Sequence, residues 1–334
     1  MKKSALVLAE YAAPRIYGAD EIAEIRKITD LKDGLITNEK LAADPSVLND
    51  VEIMFSGWGG PVMDAKVLAA APKLEAIFYG AGSIRYMVTP EFWARNIPIT
   101  SVWYANGIPV AEYVQAQIIL SLKKFWQATR GCVNPASFHQ PAHETVRGAW
   151  KSTVGLVSLG MIGRLVAERM KTHDVNVIAY DPFVTQEKAD AQGLGVRMVS
   201  LEEVFATADV VSLHTPNLPE TRHMITGGLI ASMKPGSTFI NTARGAVVDE
   251  NAMIGVLRKR PDLFACIDVT DPEPPVEGSP LYTLPNVVLS PHIAGAVGDE
   301  CRRLGHFAVA ECERFLKGEA LKWQVTEKMA QTMA

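Results

Sequence analysis

The chain has 334 residues, 48% of them hydrophobic and 21% charged, with a formal net charge of −4. That length corresponds to about two domains. The acidic balance argues against a nucleic-acid binder, whose domain is normally basic, but leaves room for a small anionic substrate held by a local arginine.

The opening lysines followed by the run Ser4–Ala9 imitate a leader, but the run is short and Glu10 interrupts it, so it reads as a first strand. No stretch reaches the roughly 18 uninterrupted apolar residues of a membrane helix. Short apolar runs then alternate with helical patterns, which implies βα units and parallel sheets. Strands are expected at Ala5–Leu8, Val51–Phe55, Leu74–Tyr79 and Ile97–Val102, with helices near Asp20–Ile28, Met63–Ala70 and Pro90–Ala94 between them. A long helix is expected over Pro109–Arg130, with Pro109 in the first turn, where a missing N–H costs nothing. The stretch Gly131–Trp150, rich in Pro, His, Asn and Gly, reads as a surface connection.

From Thr153 the alternation restarts. Strands are expected at Thr153–Leu159, Val175–Tyr180, Val196–Val199, Asp209–Leu213, Thr238–Asn241, Phe264–Val269 and Val287–Leu289. A last helix follows over Asp299–Leu316. Cys132, Cys266, Cys301 and Cys312 form no CxxC pair and no metal-like cluster, which reads as reduced thiols in a cytoplasmic protein.

The run Thr153–Gly163 (TVGLVSLGMIG) reads strand, tight turn, helix. Gly160 and Gly163 match the second and third glycines of GxGxxG: one lets a pyrophosphate approach the backbone, the other lets helix pack on strand. Met161 and Ile162 open the helix whose free N–H groups and positive dipole end face the phosphates. Ser158 stands where the first glycine belongs, a departure expected to loosen the turn. Asp181 ends the next strand, where an acid grips the ribose diol and repels the extra phosphate of NADP, so NAD is the expected cofactor.

Three later strands each end near a polar residue: Arg244, Glu273 in a proline-rich loop, and His292. Ligands of open α/β sheets bind beyond the carboxyl ends of the strands. Reducing a keto acid needs a hydride donor, a proton donor to the carbonyl oxygen and a cation for the carboxylate. Histidine titrates near neutrality and suits the proton donor. A neighbouring Glu273 favours the imidazolium and orients the ring. Arg244 offers the planar fork that fits a carboxylate.

With HTPNLPET at His214–Thr221, NTARG at Asn241–Gly245, the Glu273–Pro274 loop, SPHI at Ser290–Ile293 and ANGIPVAE at Ala105–Glu112, nearly the whole chain resembles the D-isomer-specific, NAD-dependent 2-hydroxyacid dehydrogenase family. The resemblance implies an α/β fold of two Rossmann-like or flavodoxin-like domains. An NAD-binding domain, residues 104–293, is inserted into a discontinuous substrate domain, 1–103 plus 294–334. It also implies a cleft between them and a homodimer. By position it makes Arg244 a substrate binder, Glu273 the support of the histidine and His292 the proton donor. Thr215, Pro216 and Thr221 would line the cofactor, with Thr242, Ala243 and Asp268 around its nicotinamide end. Ala81 and Gly82 would give amides to the substrate carboxylate, and Asn106 matches a polar position near them. Ile84 and Arg85 stand where the family usually has an acid.

Trp58, with Trp103 and Tyr104, is a candidate for a specificity pocket. No basic cluster marks a phosphate subsite. Two other branches share the fold: formate dehydrogenases, which have glutamine in place of Glu273, and NADH-sensing corepressors, which carry extra tails. A 2-keto acid reductase is the expectation over both.

Overall fold

The computed structural model describes residues 1–138 and 146–333. Residues 139–145, in the expected connection Gly131–Trp150, lie outside the described residues. The chain divides into two compact units, Met1–Asn106 with Ala296–Ala334, and Gly107–Gly295.

The first unit is built on β1 (Lys3–Val7), β2 (Asp30–Ile36), β3 (Ile53–Ser56), β4 (Ala76–Tyr79) and β5 (Ile99–Ser101). They form a parallel sheet in the order β2-β1-β3-β4-β5. The inner strands β3 and β4 are buried at every residue, as in sheets covered by helices on both faces. Strand β2 has no counterpart in the expected set. It is an edge strand with exposed Asp30, Asp33 and Gly34, so its polar pattern hides it. Gly34 takes φ 84°, and the β1–β2 register shifts between Ser4 and Leu6, the signature of an irregular edge.

The helix Glu300–Leu316 returns to this unit because one of its faces is apolar. Leu304, Ala308, Val309 and Cys312 join Ile16, Ile25, Phe55 and Phe78 in one buried cluster. Gly305 lets the backbones approach: a Cβ there would lie 2.0 Å from the Ile16 carbonyl oxygen. Beside it the buried Glu21 carboxylate takes Arg302 at 2.5 Å and His306 at 3.2 Å.

The second unit carries β6 (Ser152–Val157), β7 (Val175–Tyr180), β8 (Arg197–Met198), β9 (Val210–Leu213), β10 (Thr238–Asn241), β11 (Phe264–Ile267) and β12 (Val287–Leu289). The order is β12-β11-β10-β9-β6-β7-β8, all parallel. Strand order reverses between β6 and β9, which creates the crevice where such sheets bind nucleotides. Buried apolar clusters fill the space on each side of this sheet.

The long helix departs from expectation. It runs Trp103–Leu122, so Pro109 is an interior residue rather than a first-turn one. The helix starts earlier because the Asn106 N–H already bonds the Val102 carbonyl at 3.2 Å. Lys124, at φ 48°, then breaks the expected continuous helix, and a second one runs Phe125–Gly131. All four cysteines are free; Cys132 is exposed and the other three are buried. Among the described residues no helix is long and apolar enough to cross a membrane.

Candidate active site

The glycine turn sits at the end of β6. Gly160 caps the helix Met161–Met170 in an extended conformation, and a Cβ on it would meet only the Ser158 hydroxyl, 4.0 Å away, so its outer side is open to a ligand. A Cβ on Gly163 would lie 2.2 Å from the Ser158 carbonyl oxygen, which is why helix can meet strand here. Met161 and Ile162 are half-buried in the helix's first turn.

Ser158 adopts φ 79°, the left-handed conformation glycine takes at least cost. The turn is nonetheless tied down, contrary to the looseness expected of it. The Asp181 carboxylate accepts from the Leu159 N–H at 2.8 Å and the Ser158 hydroxyl at 3.3 Å. Its other oxygen accepts the Phe183 N–H at 2.8 Å. Three of its roughly four acceptor positions are therefore filled, leaving one on Oδ1.

Next to β6, the segment after β9 brings His214, Thr215 and Pro216 to the same sheet end. His214 Nε2 and Thr215 Oγ1 are buried without a hydrogen-bond partner among the described residues, and so is Thr242 Oγ1 after β10. Burial pushes the His214 imidazole down to about 4. Buried polar atoms normally find partners, so a row of orphans at the carboxyl end of the sheet fits a polar ligand such as a dinucleotide. Thr221 differs: its hydroxyl closes its own loop, donating to the Pro216 carbonyl at 2.6 Å and accepting the Leu218 N–H at 2.9 Å. Ala243 is buried, with its N–H on Asn241 Oδ1 at 3.0 Å.

Arg244, Glu273 and His292 follow β10, β11 and β12 respectively. Glu273 Oε1 lies 2.6 Å from His292 Nδ1, with both side chains accessible to solvent. Arg244 is half-buried and donates to the Ala243 carbonyl at 2.6 Å. Burial holds its guanidinium below the usual arginine range, while the Glu273 charge works the other way. A desolvated cation beside a histidine–carboxylate pair can, chemically, bind and protonate a carbonyl acid.

Asp268 has a structural part the sequence did not disclose. It is buried, and its carboxylate holds the His292 loop: Ile293 N–H donates to Oδ1 at 3.0 Å and Ala294 N–H to Oδ2 at 2.9 Å. The His292 N–H bonds the Asp268 carbonyl at 3.0 Å, and His292 itself sits at φ 53°.

In the first unit, β4 ends at the loop Gly80–Ser83. The Ser101 hydroxyl contacts the carbonyls of both Ala81 and Gly82, and the Val102 N–H bonds Ala81 at 3.0 Å. The Ala81 and Gly82 N–H groups have no acceptor among the described residues. Asn106 accepts the Ala296 N–H at 3.1 Å, and its Nδ2 lies 3.9 Å from where a Cβ on Gly82 would be. Trp58 is half-buried against the two apolar clusters flanking this sheet. Tyr104 stacks on Trp323 at 4.9 Å and Trp103 meets the same ring edge-on at 5.6 Å, so one face of this aromatic group is occupied by Trp323.

Residues 116–294 match the family model for the D-isomer specific 2-hydroxyacid dehydrogenase, NAD binding domain. An (S)-sulfolactate dehydrogenase of Chromohalobacter salexigens is 35% identical over 76% of this chain and 81% of its own. A D-3-phosphoglycerate dehydrogenase of Archaeoglobus fulgidus is 32% identical over 77% of the chain, which spans only 48% of that relative's length. The apo D-mandelate dehydrogenase of Rhodotorula graminis shares the fold at TM-score 0.81 and 22% identity, over 98% of each chain.

Proposed function

Because the chain belongs to the D-isomer specific 2-hydroxyacid dehydrogenase family, we propose that it interconverts a 2-keto acid and a D-2-hydroxy acid with NAD(H). The contact of His292 with Glu273 at 2.6 Å carries this reading. With Nδ1–H given to the Glu273 carboxylate, Nε2 is the ring atom left to donate a proton to the carbonyl oxygen during reduction and to take it back during oxidation. Glu273 holds that tautomer and stabilises the charged ring. Arg244, already partly desolvated, pairs with the substrate carboxylate and polarises the neighbouring carbonyl. In the first unit, the Ala81 and Gly82 amides are assigned to carboxylate binding.

Bound NADH supplies the hydride. Gly160, Met161 and Ile162 would hold its pyrophosphate, with Thr215 and Pro216 alongside, Thr242 and Ala243 toward the nicotinamide, and Asp181 at the ribose. A carboxylate at the ribose favours NAD over NADP, whose 2′-phosphate it repels. We place the protein in the cytoplasm as a homodimer. An unphosphorylated small 2-keto acid is the substrate class, and Trp58 is the candidate specificity residue of the first unit.

His292→Ala should lower keto-acid reduction by about 10²- to 10⁴-fold, the usual range for a general acid, while NADH affinity stays unchanged in a fluorescence titration. Turnover close to wild type in that variant would remove His292 from the role.

A further inference from the structure

His292 is held from two sides. Glu273 fixes the ring, and Asp268 fixes the backbone through three hydrogen bonds. The Asp268 carboxylate is buried, and what it receives beyond the loop amides comes from a hydroxyl: Ser290 Oγ lies 2.5 Å from Oδ1. A carboxylate only accepts, so the single Ser290 proton goes to Asp268. The Tyr113 hydroxyl lies 3.0 Å from the same Ser290 oxygen. With the serine proton committed, Tyr113 must be the donor. Burial and the Asp268 charge both raise the Tyr113 phenol above its ordinary range, which keeps that proton in place. A directed chain therefore runs from the helix Trp103–Leu122, through Tyr113 and Ser290, to Asp268 and the loop that carries His292.

We propose that Tyr113 and Ser290 are positioning residues for His292, acting through the Asp268 carboxylate. This rests on the reading of His292 as the proton donor. Neither side chain hydrogen-bonds the histidine ring, and Ser290 meets His292 through its backbone carbonyl, which accepts the His292 N–H at 3.1 Å, so their effect is on geometry: a loop bearing a non-glycine residue at φ 53° keeps that shape only while its surroundings hold it. Small misplacements of a reacting group are costly in rate, about 10²-fold for 1 Å. Loss of one link should therefore appear in kcat and leave cofactor affinity alone.

The test uses Ser290→Ala, Ser290→Thr, Tyr113→Phe and the double variant Tyr113→Phe/Ser290→Ala. Steady-state kinetics, NADH titration and amide exchange at Ile293 and Ala294 are read for each. Ser290→Ala should lower kcat about tenfold or more, with unchanged NADH affinity and faster exchange at both amides. Ser290→Thr keeps the hydroxyl and should restore both readouts. Tyr113→Phe should act in the same direction, more weakly, and add nothing in the double variant, because the two share one chain. The proposal is overturned if Ser290→Ala and Tyr113→Phe leave kcat and exchange unchanged, or if NADH affinity falls in step with kcat. Additive losses in the double variant would also overturn it. Amide exchange reads the loop without turnover, so a wild-type protein inactive on keto acids would defeat the functional reading and still leave this one decided by its own arm.

Discussion

Ser158 shows how a departure from a motif can be absorbed at the scale of one residue. A serine at φ 79° costs about 1 kcal/mol or more relative to glycine. Here its hydroxyl and the next N–H are both used, on the carboxylate that ends the neighbouring strand. The same acid that braces the turn is the one proposed above for a ribose hydroxyl. His214, one strand over, is a second such residue. Burial pushes it from 6.5 to about 4, so the folded chain keeps it neutral where the unfolded chain protonates it. The unfolded state then binds the extra proton between those two values. The stability from this site is full above about pH 6.5 and is lost progressively as pH falls toward 4. At pH 5 the loss should be about 2 kcal/mol. Urea midpoints at pH 7.5 and pH 5 for wild type and His214→Gln measure it: the variant should fall less between the two. An equal fall in both would show that another group carries the acid sensitivity.

Among the elements, the helix Glu300–Leu316 depends most visibly on one position. With a Cβ only 2.0 Å from the Ile16 carbonyl, Gly305→Ala must push this helix off the segment Ala13–Ile16. Overpacking of this kind costs about 1–3 kcal/mol, to be read as a lower denaturation midpoint; an unchanged midpoint would mean the helix can shift freely. The elements also mark what the sequence could disclose. The buried inner strands were legible because their apolar runs are continuous, and the positions of Arg244, Glu273 and His292 because each follows a legible strand; the roles proposed for them await their test. Strand β2 was not legible, because in this edge strand Lys32, Asp33 and Gly34 separate Leu31 from Leu35 and Ile36 and leave no continuous apolar run. The start of the long helix was hidden by Pro109, which usually marks a first turn. The chain from Tyr113 to Asp268 was invisible for another reason: its members lie on three separate segments, brought together by the pairing of β11 with β12 and by the packing of the long helix on that sheet. Trp103 and Tyr104 stood in a sequence context that suggested a pocket, yet their partner is Trp323, near the other end of the chain.

At the scale of the molecule, each unit is a parallel sheet that delivers polar groups where its strands end. The second unit gathers the glycine turn, hydroxyls orphaned among the described residues and the His292–Glu273 pair on one sheet end, and the first presents amides at Ala81 and Gly82 after β4 that have no acceptor among those residues. The family relation extends across the second unit as an NAD-binding domain. The most direct test of the central claim is the oxidation of NADH by the wild-type protein with a panel of unphosphorylated 2-keto acids, from glyoxylate and hydroxypyruvate to phenylpyruvate, with NADPH in parallel. Turnover is expected with at least one of them, faster with NADH than with NADPH, and a D-configured hydroxy acid as product. Tight NADH binding without turnover on any 2-keto acid would contradict it.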